Sequence, residues 1–384
     1  MASHLPVLED LPDPSGRAVL VRADLNVPLG PNGEMDDFRL RSSLPTLVWL
    51  AEHGARLTVC SHLGRPGGKP VPRLSMAPVA ERLRQLLAGE IGDEPARSVR
   101  VMENLRFDPG EEANDPSFVD RLVEGQELYV NDAFGSAHRA HASVVGPPER
   151  LPSAAGRLLA REAEVLTGLL DGATRPFVAV LGGAKVSGKL GLVGALLSRA
   201  ECVMVGGGMC FTFLAALGHD VGDSLVEPAQ VDNCRKLLDS GRRIMVPTDI
   251  VALEPGSGEV KVVGRSVPAG WKGMDIGPAT AGEFADELVE AGTVFWNGPM
   301  GVFEDKRFST GTAAVARAVA ECHGFTVVGG GDSAAALASL GLDGAVDHLS
   351  TGGGASLELL EKGDLPGLAA LRQSWERQEE HGRG

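Results

Sequence analysis

Cysteine is scarce in this chain and lies in no pairing pattern. The five residues fall at positions 60, 202, 210, 234 and 322, odd in number and widely spaced, without a CxxC pair or histidines at zinc-binding distance. That spacing excludes a disulfide framework and a zinc finger. Most of these thiols sit in apolar, strand-like runs, where free cysteine behaves as a small hydrophobe. No apolar run approaches the ~20 residues that a membrane helix requires. The N-terminal stretch MASHLPVLEDLPDP lacks the basic start and apolar core of a secretory signal. Together these absences set the expectation of a cytoplasmic protein. Positive charge is also in deficit, with 36 Lys and Arg against 51 Asp and Glu and a net charge of −15. General nucleic-acid binding is thereby excluded, and an anionic ligand needs a local basic cluster set against the overall field.

Lysine is the scarcer of the two bases, with 8 residues against 28 arginines. Two of the eight, Lys185 and Lys189, stand four residues apart in LGGAKVSGK, directly after the apolar run Phe177–Leu181. A strand, then glycines, then lysines opening a helix is a phosphate site in outline. The Walker pattern itself is absent, because Leu190 follows Lys189 where Ser or Thr should hold magnesium. No segment carries a clean G-x-G-x-x-G with an acidic residue downstream either, which leaves a dinucleotide-dependent oxidoreductase without support.

What is present is a globular composition, 43% hydrophobic and 23% charged over 384 residues, enough for two domains with separate cores. Apolar runs at 17–26, 56–62, 127–133, 176–181, 202–206, 243–246, 293–297 and 325–329 read as buried strands. Helical patterns fall at 44–53, 76–88, 190–200, 211–217, 312–321 and 333–340. Such alternation implies parallel sheets covered on both faces. Prolines 147, 148 and 152 interrupt it, and 160–170 reads as one connecting helix.

In open parallel sheets ligands bind beyond the carboxyl ends of the strands. In the first half those ends carry Arg22, Asp24 and Asn26, then His62 and Arg65, Glu103 and Arg106, and Asp132 and Arg139, with Arg39 in a loop at 36–40. Arginines at successive strand ends suit a small, multiply anionic ligand. In the second half the same rim collects glycines at 206–208, 298, 329–331 and 352–354. Beside Lys185 and Lys189 these read as a polyphosphate cradle. Asp332 is placed as either a helix N-cap or a magnesium ligand, and Glu304 as a ribose acceptor. An arginine-lined anion site and a nucleotide-type site point to phosphoryl transfer.

The segments VLVRADLNVP, SHLGRP, ENLRF, GEEAND, VNDAFGSAHRAHAS, RPFVAVLGGAKVSGK, GGGMCFTFL, DIGP, VFWNGPMGVFE, FSTGT, GGGDS and STGGGASLELLE, in that order, closely resemble phosphoglycerate kinase from about Val19 to Leu371. The resemblance implies an α/β protein of two Rossmann-like lobes, each a mainly parallel sheet flanked by helices, joined by a hinge helix across a cleft. It implies a 3-phosphoglycerate lobe at 1–158 completed by a C-terminal return at 360–384, a hinge helix at 159–171, and a nucleotide lobe at 172–359. The implied reaction is 1,3-bisphosphoglycerate + ADP = 3-phosphoglycerate + ATP, with Mg2+ accompanying the nucleotide, in a monomer.

The resemblance also implies residue roles. Asp24, Leu25 and Asn26, with His62, Leu63, Gly64, Arg65, Arg106 and Arg139, would surround 3-phosphoglycerate. Arg39 and Lys185 would meet the transferring phosphoryl group, with Lys189, Gly331 and Gly354 completing the catalytic set. Lys189, Gly273, Asn297, Glu304, Gly330, Gly331, Asp332 and Ser333 would hold the nucleotide, Asp332 through the metal. Three positions depart from the family pattern. Gly188 replaces a usual Asp, Ala279 a common Lys, and Arg157 a bulky apolar residue. The first leaves a catalytically impaired ligand-binding paralogue as the alternative reading. The tail 372–384 has no family counterpart and reads as a charged surface extension.

Overall fold

The computed structural model describes residues 4–27, 35 and 37–382. Asp36, part of the loop expected around Arg39, lies outside them. The chain divides into two compact units, Met1–Glu164 with Asp364–Gly384, and Val165–Gly363.

In the first unit five parallel strands form one sheet: β1 (Ala18–Ala23), β2 (Arg56–Cys60), β3 (Arg100–Val101), β4 (Leu128–Asp132) and β5 (Ser153–Ala155), in the order β3-β2-β1-β4-β5. The central strand, AVLVRA, is buried at every residue but its first, because parallel crossovers cover both faces. Val19, Val21, Val59 and Val130 join Leu47, Leu50, Val79 and Leu83 from the helices Phe38–Glu52 and Ala77–Ile91 in one core.

In the second unit β6 (Phe177–Leu181), β7 (Cys202–Val205), β8 (Ile244–Met245), β12 (Thr293–Asn297), β13 (Phe325–Gly329) and β14 (His348–Leu349) form a six-stranded sheet. Its order is β14-β13-β12-β6-β7-β8, and its pairs are all parallel. Between β8 and β12, a feature absent from the sequence reading appears: β9 (Asp249–Leu253), β10 (Val260–Gly264) and β11 (Lys272–Ile276) make a separate antiparallel sheet.

One further expectation is corrected. Arg39 is not in a loop but in the first turn of the helix Phe38–Glu52. The tail 372–384 continues the helix Pro366–Gly382, which contributes Leu368 and Leu371, both fully buried, and Ser374, 3% exposed, while Gln373, Glu376 and Glu379 stay at the surface. Gly367 N donates to Ala137 O at 2.8 Å and Ser374 Oγ to Leu151 O at 3.3 Å, so this helix completes the first unit. Arg157, the departure from a bulky apolar residue, is absorbed by Glu9, whose carboxylate accepts from both its terminal nitrogens at 3.0 and 2.5 Å, and by the face of Trp49. Ala279 has an exposed side chain, and its amide donates to Asp249 in the first turn of the helix Pro278–Val289.

The helix Arg157–Asp171, which carries the chain from one unit to the other, starts on a buried carboxylate. Asp132 Oδ1 accepts from Leu158 N at 2.9 Å and Leu159 N at 3.4 Å. Gly156 makes room, since a Cβ there would lie 2.2 Å from Oδ1. Burial raises the Asp132 carboxyl to about 7, the hydrogen bond from Thr46 and the helix amides opposing it. A folded pKa above the unfolded one means that the folded state holds an extra proton between pH 4 and 7, so the stabilisation is complete below about pH 4 and is lost progressively up to pH 7. Asp132→Asn, which keeps the accepting oxygen without the charge, should raise the thermal midpoint at pH 8. The gain should shrink steadily as pH falls from 7 and disappear only near pH 4, as read by thermal denaturation across that range.

Candidate active site

In the first unit the parallel register places the ends of β1, β2 and β4 side by side, so the residues following them share one rim. Arg22, expected on that rim, instead lies in the strand and is fully buried. Its guanidinium donates to Ser143 Oγ (2.9 Å), Ala23 O (2.6 Å), Ser61 Oγ (3.3 Å), Ser136 Oγ (3.4 Å) and His62 Nδ1 (2.9 Å). Ser143 passes the contact on, its Oγ donating at 2.6 Å to the fully buried Glu111, which also accepts from Ser143 N at 2.9 Å.

Because an arginine only donates, His62 Nδ1 accepts, and the imidazole proton belongs on Nε2. Burial, reinforced by Arg22, Arg106, His141 and Arg39, pulls His62 far below the ordinary histidine range, so the ring is neutral. His141 is likewise lowered to about 4, by burial and then by Arg106, Arg139 and Arg22. Arg22, Arg39, Arg106 and Arg139 thus act on the two histidines as electrostatic neighbours. The overall acidic chain has concentrated cations here.

The remaining expected residues frame that cluster. Arg39 Nη1 donates to Asp24 Oδ2 at 2.6 Å, with Asp24 2% exposed and close against Gly135. Asn26 Oδ1 accepts from Gly64 N at 2.9 Å. Arg106 Nη1 donates to Gly64 O at 2.9 Å, and its Nε stands 3.2 Å from the Glu112 carboxylate in an ion pair without hydrogen-bond alignment. Asn104, missed in the sequence, clamps Leu63 through both its backbone groups at 3.2 and 2.7 Å. Leu25 and Leu63 are buried beneath the rim, whereas Arg65 is exposed.

In the second unit, a cavity of about 460 Å³ is lined by Gly273, Glu304 and Asp332 from the expected set. Glycines 183, 207, 208 and 301 give it a backbone surface, and Phe211, Leu225, Met274 and Val302 an apolar one. Gly273 is required there: a Cβ would lie 2.1 Å from Phe211 Cζ. Leu225, 62% exposed, was missed because a lone leucine in a loop carries no pattern.

Other expected nucleotide residues do not line this cavity. Lys189 Nζ donates to Gly182 O (2.7 Å), Asn297 Oδ1 (2.6 Å) and Asn297 O (3.2 Å), which uses all three of its protons. Asn297 Nδ2 donates in turn to Gly329 O at 2.8 Å, and Ser333 Oγ accepts from Gly298 N at 2.7 Å. Lys189, Asn297 and Ser333 thus brace the ends of β6, β12 and β13. Burial lowers Lys189 to about 8, with Asp332 opposing. Lys185 is exposed. Gly330, with φ of +92°, caps the helix Gly331–Ser339, and Gly353, with φ of +50°, precedes the helix that starts at Gly354. Asp332 lies inside the first turn and is not the N-cap.

Asp332 presents one exposed carboxylate to the cavity. Among the described residues no group of three or more His, Cys, Asp or Glu gathers to hold a metal. That donor set fits magnesium brought by nucleotide phosphates and met by a single protein carboxylate, and does not fit an all-protein cage. No described helix is long and apolar enough to cross a membrane.

The phosphoglycerate kinase family model matches residues 8–363. The phosphoglycerate kinase of Frankia casuarinae is 51% identical over 389 residues, covering 93% of this chain and 97% of the relative. That of Rubrobacter xylanophilus is 50% identical, covering 93% and 95%. Among solved structures, phosphoglycerate kinase from Coxiella burnetii superposes with a TM-score of 0.87 at 35% identity, covering 96% of this chain and 99% of the other. The enzyme from Pyrococcus horikoshii OT3 gives 0.83 at 31%, covering 97% and 100%. With arginines gathered at the strand ends of one unit, a glycine-walled cavity in the other and a match along nearly the whole length, this chain belongs to the phosphoglycerate kinase family and transfers a phosphoryl group between a carboxyl acceptor and a nucleotide.

Proposed function

We propose that 3-phosphoglycerate binds the first unit through Asp24, Asn26, His62, Arg65, Arg106 and Arg139, with the backbone of Leu25, Leu63 and Gly64 shaping the rim. The supporting observation is the cation cluster around a neutral His62, whose Nε2–H donates to the acid while Nδ1 stays on Arg22. ATP or ADP binds the cavity of Gly273, Glu304 and Asp332, its phosphates reaching the glycines at 330, 331 and 354 and the lysines. Asp332 holds the accompanying magnesium, which supplies neutralisation of phosphate charge. The helix at 159–171 serves as the hinge between a lobe at 1–158, rejoined by 360–384, and one at 172–359. The protein works as a cytoplasmic monomer.

Phosphoryl transfer needs positioning and charge neutralisation more than covalent chemistry. The attacking group is already an anionic oxygen, so no strong base is required. This accounts for a site built from guanidinium, ammonium and backbone N–H groups. Arg39 and Lys185 meet the charge on the equatorial oxygens of the transferring group, where a contact that strengthens in the transition state raises kcat. Lys189, now holding Gly182 and Asn297, exchanges those acceptors for nucleotide phosphate.

Three outcomes are expected. Arg39→Ala should lower kcat by roughly 10²–10³ with a much smaller effect on 3-phosphoglycerate binding; initial rates with MgATP and 3-phosphoglycerate, trapping the acyl phosphate with a coupled reductase, measure it. Equal loss of binding with no further loss of rate contradicts the role. Gly273→Ala should displace Phe211 into the cavity and weaken MgADP, leaving 3-phosphoglycerate affinity intact, as titration calorimetry with each ligand reports. Because Lys189 is charged only below about pH 8, MgADP affinity should fall as pH rises through 8. Lys189→Met should bind more weakly and lose that dependence.

A further inference from the structure

The loop that carries Lys185 is fastened by a carboxylate from elsewhere in the same unit. Glu227 Oε2 accepts from Ser187 N at 2.8 Å and Oε1 from Ser187 Oγ at 2.6 Å, so one loop residue engages both oxygens. Among the described residues these are the side-chain hydrogen bonds that tie 184–188 to the rest of the unit. Glu227 is itself anchored, its amide donating at 3.2 Å to the hydroxyl of Thr212, 1% exposed in the helix Cys210–Ala216. The Ser187 hydroxyl and amide, then the Val186 amide and the Lys185 charge, hold the Glu227 carboxyl below its usual range. The carboxylate therefore meets the amides of two successive loop residues immediately after Lys185. Gly188, next along the loop, brings no side chain, and a Cβ there would meet nothing within 4 Å.

We propose that Glu227 is a positioning residue for phosphoryl transfer: by clasping Ser187 it fixes the loop from which Lys185 reaches the reacting phosphate. It thereby supplies from the β7–β8 connection an anchor that Gly188 cannot supply from within the loop. The inference rests on the reading of Lys185 as a contact to the transferring group. A tether of this kind acts on rate, because a lysine displaced by about 1 Å forfeits charge stabilisation without altering where either substrate docks.

Steady-state kinetics with MgATP and 3-phosphoglycerate, beside thermal denaturation, test it with five full-length variants. Lys185→Ala establishes the underlying role by a large fall in kcat. Glu227→Ala should then lower kcat by roughly ten- to a hundredfold with KM for both substrates and the thermal midpoint preserved. Glu227→Gln, which retains an accepting oxygen for Ser187, should recover most of the rate. Adding Glu227→Ala to Lys185→Ala should cost nothing further, since the anchor acts through the lysine. Gly188→Asp should restore part of the rate to Glu227→Ala by supplying a carboxylate inside the loop. An unimpaired Glu227→Ala beside an impaired Lys185→Ala overturns the inference, as does a further loss in the double variant. An unimpaired Lys185→Ala overturns the reading of the lysine instead.

Discussion

A guanidinium with no access to water lies at the centre of the first unit. Removing such a charge from solvent costs several kcal/mol unless its donors are met, and losing one partner leaves the other uncompensated. Arg22 meets that constraint by recruiting Ser61, His62, Ser136, Ser143 and the carbonyl of Ala23, residues from four separate stretches of chain. Ala23 ends β1, Ser61 and His62 follow β2, and Ser136 and Ser143 lie in short helical turns after β4. Satisfying the buried charge therefore sets the relative placement of the loops that form the rim. It also decides the histidine tautomer, and through Ser143 it neutralises itself against Glu111.

The second unit solves the equivalent problem with a smaller ion. A compact ammonium presents three donors from one point, and Lys189 spends them on two carbonyls and an amide oxygen at the ends of β6 and β12. A guanidinium fork could not converge on three acceptors so closely set, which gives a physical reason for one of the few lysines in an arginine-rich chain to stand here. Its lowered pKa follows from the same burial.

Legibility in the sequence tracked burial on both faces. β6, β12 and β13 read at nearly their true limits, because strands covered on both sides are continuous apolar runs ended by glycine or polar residues. The antiparallel sheet did not, since Val260 and Val262 are exposed and alternate with Lys261 on a strand that looks like loop composition. A hairpin signal was there in Glu254-Pro-Gly-Ser-Gly-Glu259 between alternating residues. The helix start at Phe38 was hidden because Asp37 spends its carboxylate on Arg82 and Arg41 and makes no side-chain cap. The identities of the rim residues were readable as charges at strand ends. Their division of labour was not, because Lys189 and Asn297 are 108 positions apart and only folding reveals that they satisfy each other. Glu227 was invisible for the same reason.

The helix Pro366–Gly382 has a consequence for synthesis. It is translated after the whole of the second unit, yet Leu368 and Leu371 are core residues of the first. On the ribosome, the domain begun first is the one finished last: its sheet emerges early but keeps an apolar seam beside Ala137 and Val144 uncovered. The second unit, made from one uninterrupted stretch, is complete before that seam closes. The packing of the first unit is thus finished only when the helix Pro366–Gly382 has emerged, so the integrity of that unit depends on a segment separated from it by the whole of the second.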